Sequence, residues 1–223
     1  MRGNFRDDTG VKPTFRVHEV GSGSRTRLLV VLDGPEYQRQ MRLLALLRRF
    51  VERGEIRPHR VALVMPEDRT ETYSASARFA HTLVETLGEL KGKPVGLGAS
   101  LGGLALLHAH RLEPTSFAGL FLQSGSYFRR RSDPQESRFG RFGRVDRFVG
   151  TVLRGVGEPL PVPTTLTCAL DEENYANNAA VARALAEQGY PVEFHAARGG
   201  HDWPTWRRAL ELHLPALLRR TWK

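Results

Sequence analysis

Cys168 is the one cysteine in 223 residues. A lone thiol excludes an intramolecular disulfide and any zinc cluster built on cysteines, and it fits a reducing compartment. Long apolar runs are equally scarce. The longest, such as Leu28 to Leu32, fall far short of the ~20 residues that a helix needs to span a bilayer, and the first twenty residues, MRGNFRDDTGVKPTFRVHEV, hold no apolar leader core. We therefore expect a soluble, cytoplasmic protein with no membrane partner. Nor does a repeat or a shift in composition mark off a second unit, so residues 1–223 read as one domain, long enough to bury a core. Lysine is rare among the basic residues. Arginine makes up most of the 33 cations, which stand against 24 acids and leave a formal charge of +9. That excess attracts nucleic acid, anionic lipid or acidic small molecules, or merely solvates the surface. No nucleic-acid motif accompanies it, so no nucleic-acid partner is expected.

What is present is a regular alternation. Short Val- and Leu-rich runs, bounded by turns, recur at Leu28 to Leu32, Val61 to Met65, Val95 to Gly98, Gly119 to Gln123, Thr165 to Ala169 and Val192 to Ala196. Each suits a buried parallel strand. Between them lie helical faces: Leu43, Leu47 and Phe50; Phe79, Leu83 and Leu87; Trp206, Leu210 and Leu217. Strands alternating with helices call for an α/β fold, a mostly parallel sheet with helices on both faces. Residues 124–163 break the rhythm. They are rich in Arg, Phe and Gly and read as a lid-like excursion from the sheet.

The stretch VGLGASLGGLALLHAH, residues 95–110, contains Gly98-Ala99-Ser100-Leu101-Gly102, a G-x-S-x-G pattern between a strand and a helix. In that context small residues two before and two after the serine allow the sharp turn that exposes its Oγ as a nucleophile. The Leu101 N–H then sits at a helix N-terminus, where negative charge is favoured. A serine needs a base, and the chain order Ser, acid, His that goes with this pattern leaves His195, His201 and His213. His195 lies within the strand VEFHAA and His213 on an amphipathic helix. His201 ends the loop ARGGHDW, where two glycines free the backbone and Asp202 and Pro204 start a helix, so it is the expected base. The acid should follow the strand TLTCAL, where Asp171, Glu172 and Glu173 stand in a row, and spacing does not choose among them.

The pieces VVLDGPEY, GASLGGLALLHAHRLEPTSFAGLFLQSGSYF, ALDEENYANNAAVARALAEQG and GGHDWPTWRRAL together resemble the putative-esterase family of α/β-hydrolases, which includes enterochelin, feruloyl and acetyl-xylan esterases, S-formylglutathione hydrolases and mycolyltransferases. The likeness runs from about Leu28 to Leu218 and is greatest to the enterochelin-esterase branch. It implies the α/β-hydrolase fold and makes Glu172 the acid, because relatives often read Gly-Thr-x-acid where this chain has Ala169-Leu170-Asp171-Glu172. One departure concerns the oxyanion hole. Relatives can donate a backbone N–H from the residue after Asp-Gly, but here that residue is Pro35, which has none, so either Gly34 or Glu36 supplies the second donor beside Leu101 or the hole is weaker than usual.

The expected activity is serine ester hydrolysis through Ser100, His201 and Glu172, with an acyl-enzyme and without metal or organic cofactor. Guanidinium groups and rings in the excursion, with Tyr127, Arg129 and Arg130 nearest the site, suggest contacts to an anionic or aromatic ester of the siderophore or phenolic type. The alternatives are an acyltransferase using the same residues, or a basic binding protein on a vestigial scaffold. Some siderophore members of the family carry an N-terminal domain that a chain this short is not expected to include, so the resemblance speaks less for a large multi-ring substrate.

Overall fold

All five residues of Leu28–Leu32 are fully buried. An unbroken apolar run is what a strand needs when helices cover both of its faces. In the computed structural model, which describes residues 13–23, 26–158 and 160–222, this run belongs to a seven-stranded sheet. Its strands are β1 (Thr14–Val20), β2 (Leu28–Leu32), β3 (His59–Met65), β4 (Pro94–Ala99), β5 (Gly119–Gln123), β6 (Thr164–Ala169) and β7 (Val192–Ala197). They lie in the order β1-β3-β2-β4-β5-β6-β7, with β1 antiparallel to β3 and the rest parallel. The six strands expected from the sequence are all present, with ends shifted by no more than two residues. The seventh, β1, is not among them. Only Val20 in it is buried, and Arg16 and Glu19 interrupt the pattern, as suits a charged edge strand. Residues 1–12, part of the segment without an apolar leader core, lie outside the described residues, as do both ends of the expected 1–223 domain.

The helices are α1 (Gly34–Met41), α2 (Leu43–Glu52), α3 (Arg69–Tyr73), α4 (Ala77–Gly88), α5 (Leu101–Leu112), α6 (Phe142–Leu153), α7 (Tyr175–Glu187) and α8 (Trp203–Thr221). Successive strand residues point to opposite faces. Leu28, Val30 and Leu32 accordingly pack with α4 to α7, whereas Leu29 and Val31 pack with α1, α2 and α8. Among the described residues no helix is long and apolar enough to cross a membrane.

Between β5 and β6, where the excursion is expected, the chain forms a short 3-10 helix, Pro134–Arg138, and then α6. Val145, Phe148, Val149 and Val152 of α6 are buried in the same cluster as the sheet. Helical spacing of these residues fastens α6 to the body of the molecule, so this part of 124–163 is core rather than flap.

The strand order places the site. From β2 the chain steps outward to β3, then returns across β2 to β4 and proceeds the other way through β5, β6 and β7. The turns after β2 and β4 therefore leave toward opposite faces, α1 on one and α5 on the other. At such a switch point a crevice opens at the carboxyl ends of the strands. Asp33 follows β2 at this crevice and Ser100 follows β4.

Candidate active site

Ser100 links β4 to α5 with φ 55° and ψ −125°, a left-handed conformation that costs a non-glycine residue of order 1–3 kcal/mol. The surroundings hold it there. Its N–H donates to the Gln123 carbonyl at 2.9 Å, and its own carbonyl accepts from Leu104 N at 3.2 Å and Ser126 N at 3.2 Å. Close approach of strand to helix depends on Gly98, where a methyl group would stand 2.7 Å from both the carbonyl carbon and oxygen of Gly102. At Gly102 itself an added methyl meets nothing nearer than Asp33 Oδ2 at 3.4 Å, so the small residue after the serine serves chiefly as the surface that Gly98 touches. Ser100 Oγ lies 3.1 Å from Ser126 Oγ. Leu101 opens α5, and its N–H has no acceptor within the helix.

His201 stands in the turn between β7 and α8. Gly199 shapes that turn with φ 124°, and a methyl there would lie 2.1 Å from Thr205 Oγ1. Asp202 caps α8 by accepting from Thr205 N at 2.8 Å, and Pro204 occupies the first turn, as the sequence leads one to expect. His201 Nδ1–H donates to Glu172 Oε2 at 2.7 Å. An ionised carboxylate can only accept, so this contact places the proton of the neutral ring on Nδ1 and leaves Nε2 as a base. The Glu172 side chain is only 2% exposed, and its other oxygen accepts from Ser124 Oγ at 2.6 Å and Ala169 N at 2.9 Å. Burial by itself raises a carboxyl pKa, but the hydrogen bonds from His201, Ser124 and Ala169 outweigh it and hold Glu172 below the ordinary glutamate value. Trp206 Nε1 donates to Ser124 Oγ at 3.0 Å, and the Trp206 ring meets the imidazole edge to face at 5.0 Å. Of the three candidate acids, Glu172 is the one that meets His201. Asp171 and Glu173 are exposed at the rim of the cleft.

Ser100 borders two cavities. One, of about 350 Å³, also holds His201, Glu172, Ser126 and Phe128. The other, of about 460 Å³, holds Asp33, Glu36, Arg69, Trp203 and Trp206. Glu36 thus shares a cavity with the serine, and its N–H lies in the first turn of α1 without an intrahelical acceptor. Gly34 does not line that cavity. It packs on β3, where a methyl would stand 2.5 Å from Leu63 Cα. Asp33 adopts φ 55° and is held by Arg69, whose Nε donates to Oδ1 at 3.0 Å and whose Nη2 donates to Oδ2 at 2.9 Å. Burial still pushes the Asp33 carboxyl above its usual value, with Arg69 opposing.

The three residues expected to bind substrate lie elsewhere. Tyr127 is fully buried in the core beneath α5 and α6. Arg129 Nε pairs with Asp146 Oδ1 at 2.9 Å, and the Arg130 guanidinium sits 6.0 Å over the Phe142 ring in solvent. None of the three lines either cavity that Ser100 borders. Side chains reverse direction along this extended segment, so Tyr127 turns inward and Phe128 takes the cleft. Asp146 and Glu71, neither of them suspected from sequence, collect Arg129, Arg141 and Arg144 away from it. Sequence reasoning also passed over Ser124, Ser126 and Trp206. The signal available was their company: QSGS closes a core strand, and Trp206 lies in the first turn of the helix after His201.

No protein-family model and no curated protein sequence matches the chain. Solved structures do. Enterochelin esterase from Shigella flexneri superposes with TM-score 0.78 at 21% identity, over 97% of this chain and 60% of that one. Ferric enterobactin esterase from Salmonella typhimurium gives 0.76 at 18% identity, over 93% and 58%. S-formylglutathione hydrolase from Staphylococcus aureus gives 0.61 at 12% identity, over 94% and 98%. The fold is that of the α/β-hydrolases. This chain spans about three fifths of the length of the two enterobactin esterases, and nearly all of the S-formylglutathione hydrolase.

Proposed function

We propose that this chain is a serine carboxylic-ester hydrolase. One observation carries the reading: Ser100, in a strained turn at a helix N-terminus, opens on the same cleft as an imidazole that donates to a buried carboxylate at 2.7 Å. In this reading Ser100 Oγ attacks the ester carbonyl while His201 Nε2 takes its proton, and Glu172 holds the ring in the tautomer that makes this transfer feasible. The tetrahedral oxyanion is met by the Leu101 N–H and by a donor from the turn after β2, with Glu36 favoured over Gly34 because Glu36 shares the cavity. His201 then returns the proton to the leaving alcohol. Water repeats the sequence on the acyl-enzyme, regenerating Ser100.

The superposed proteins support the reaction type, since they are two esterases and an S-formylglutathione hydrolase. The test is covalent. A fluorophosphonate should label Ser100 in folded protein at pH 8, and Ser100→Ala should abolish labelling and lower ester kcat by about 10⁴ or more. Folded protein that takes no label ends the proposal.

A further inference from the structure

The chain carries a formal charge of +9, yet five of the twelve residues that line the cavity around His201 are acidic. Asp133, Glu136, Asp171, Glu172 and Glu173 line the cavity that holds His201, and among the described residues no lysine or arginine joins them. Asp33 and Glu36 line the second cavity, where Arg69 is already paired with Asp33. Glu172 is engaged with His201, and Asp133 is satisfied by neutral donors from Arg129 N, Ser132 and Asn177. Among the described residues nothing pairs with the carboxylates of Glu136, Asp171 or Glu173, while Arg129, Arg141 and Arg144 of the adjacent segment pair with Asp146 and Glu71.

Carboxylates alone would define no site. Two further features make these a recognition surface. They share one cleft with the nucleophile, and Phe128 contributes a half-buried ring to the same wall, the combination of ring and negative charge that favours a cation. We propose that the cleft selects esters bearing a cationic group, an ammonium or guanidinium seated among Glu136, Asp171, Glu173 and Phe128. This rests on the reading of Ser100 as the nucleophile, and it reverses the anionic preference that the arginine-rich segment suggests. A cleft lined by one sign of charge and walled by low-dielectric protein concentrates the counter-ion and raises its capture rate by about 10–10³-fold.

Three fluorophosphonates of equal length, with a neutral, a trimethylammonium or a carboxylate tail, test it on the full chain. Each reaction forms a Ser100 Oγ–P bond, expels fluoride and passes the hydroxyl proton to His201. The cationic probe should label at least about tenfold faster than the anionic one at ~0.01 M ionic strength, and the ratio should shrink at ~0.15 M as the Debye length falls from roughly 30 to 8 Å. The ratio should fall in Glu136→Gln and approach one in the triple variant with Asp171→Asn and Glu173→Gln. A Glu85→Gln control on the exposed face of α4 should keep it. If the neutral probe labels but the cationic one is no faster than the anionic, the charge preference is wrong and the hydrolase reading stands. A ratio that persists in the triple variant overturns the assignment to these residues. Failure of the neutral probe to label overturns both proposals.

Discussion

Replacing Glu172 by Gln changes one atom and poses a choice that the geometry makes costly. The carboxylate accepts three hydrogen bonds, from Ser124 and Ala169 on Oε1 and from His201 on Oε2. A glutamine has a single acceptor oxygen. With that oxygen toward Ala169 and Ser124, its NH₂ faces His201 Nδ1, which must then accept, so the ring proton moves to Nε2 and the base is lost. Turning the amide over restores Nδ1–H but sets NH₂ against the buried Ala169 N–H, and leaving such a donor unpaired costs about 1–3 kcal/mol. At about 2 kcal/mol, roughly one molecule in thirty keeps the productive tautomer. That sets a loss of about thirtyfold in kcat before the missing charge is counted. Adding the lost stabilisation of the imidazolium brings the expectation toward the ~10⁴-fold seen for the equivalent change in serine proteases. The assay is kcat/KM on a neutral p-nitrophenyl ester, with circular dichroism to confirm the fold. Asp171→Asn and Glu173→Gln, whose side chains do not reach the imidazole, should lose far less. A Glu172→Gln enzyme within about threefold of wild type would refute the tautomer argument and leave a Ser-His dyad.

Gly98→Ala should cost about 1–3 kcal/mol by denaturant unfolding, and should lower kcat as well, because its methyl meets helix backbone that cannot yield. Gly102→Ala meets only ordinary contacts and should be neutral or stabilise by up to about 1 kcal/mol through helix propensity; the opposite order of the two would show that the strand–helix approach is misassigned. Burial lowers His59, His108 and His110 to about 4. Their folded values lie below the unfolded 6.5, so stability is complete above pH 6.5 and falls as pH drops toward 4, by up to about 3 kcal/mol per histidine. His110→Phe, among the rings of Phe117 and Tyr190, should flatten that slope in a series of melts; an unchanged slope removes His110 from the account. Glu172 acts in the same direction at lower pH. Its depressed folded value means that the stability lent by the ionised form is present above about pH 4.5 and is lost as pH falls through the folded value, so the stability gap between wild type and Glu172→Gln should narrow there.

Local chemistry made much of this protein legible in its sequence. Apolar runs of five or six residues between helical faces specify parallel strands, because only a strand covered on both faces can bury every side chain. A serine between small residues, just after such a run, announces a tight strand-to-helix turn, and the glycines before His201 announce a loop that can arch over the sheet. What depends on direction and distance was not legible. Spacing leaves three adjacent acids equivalent, and although the family resemblance points to Glu172, it is the turn after β6 that sends Glu172 inward while leaving Asp171 and Glu173 at the rim. Tyr127 and Phe128 differ by one position, and the chain's reversal there sends one ring to the core and the other to the cleft. The charge of the site is the clearest case. Composition counts arginines wherever they stand, whereas the field at Ser100 depends on which side chains face it. Tertiary structure paired Arg129, Arg141 and Arg144 with Asp146 and Glu71, because charge drawn partly out of water is stable where a partner waits, and it brought carboxylates from separate loops to one wall, where solvent keeps the exposed ones charged.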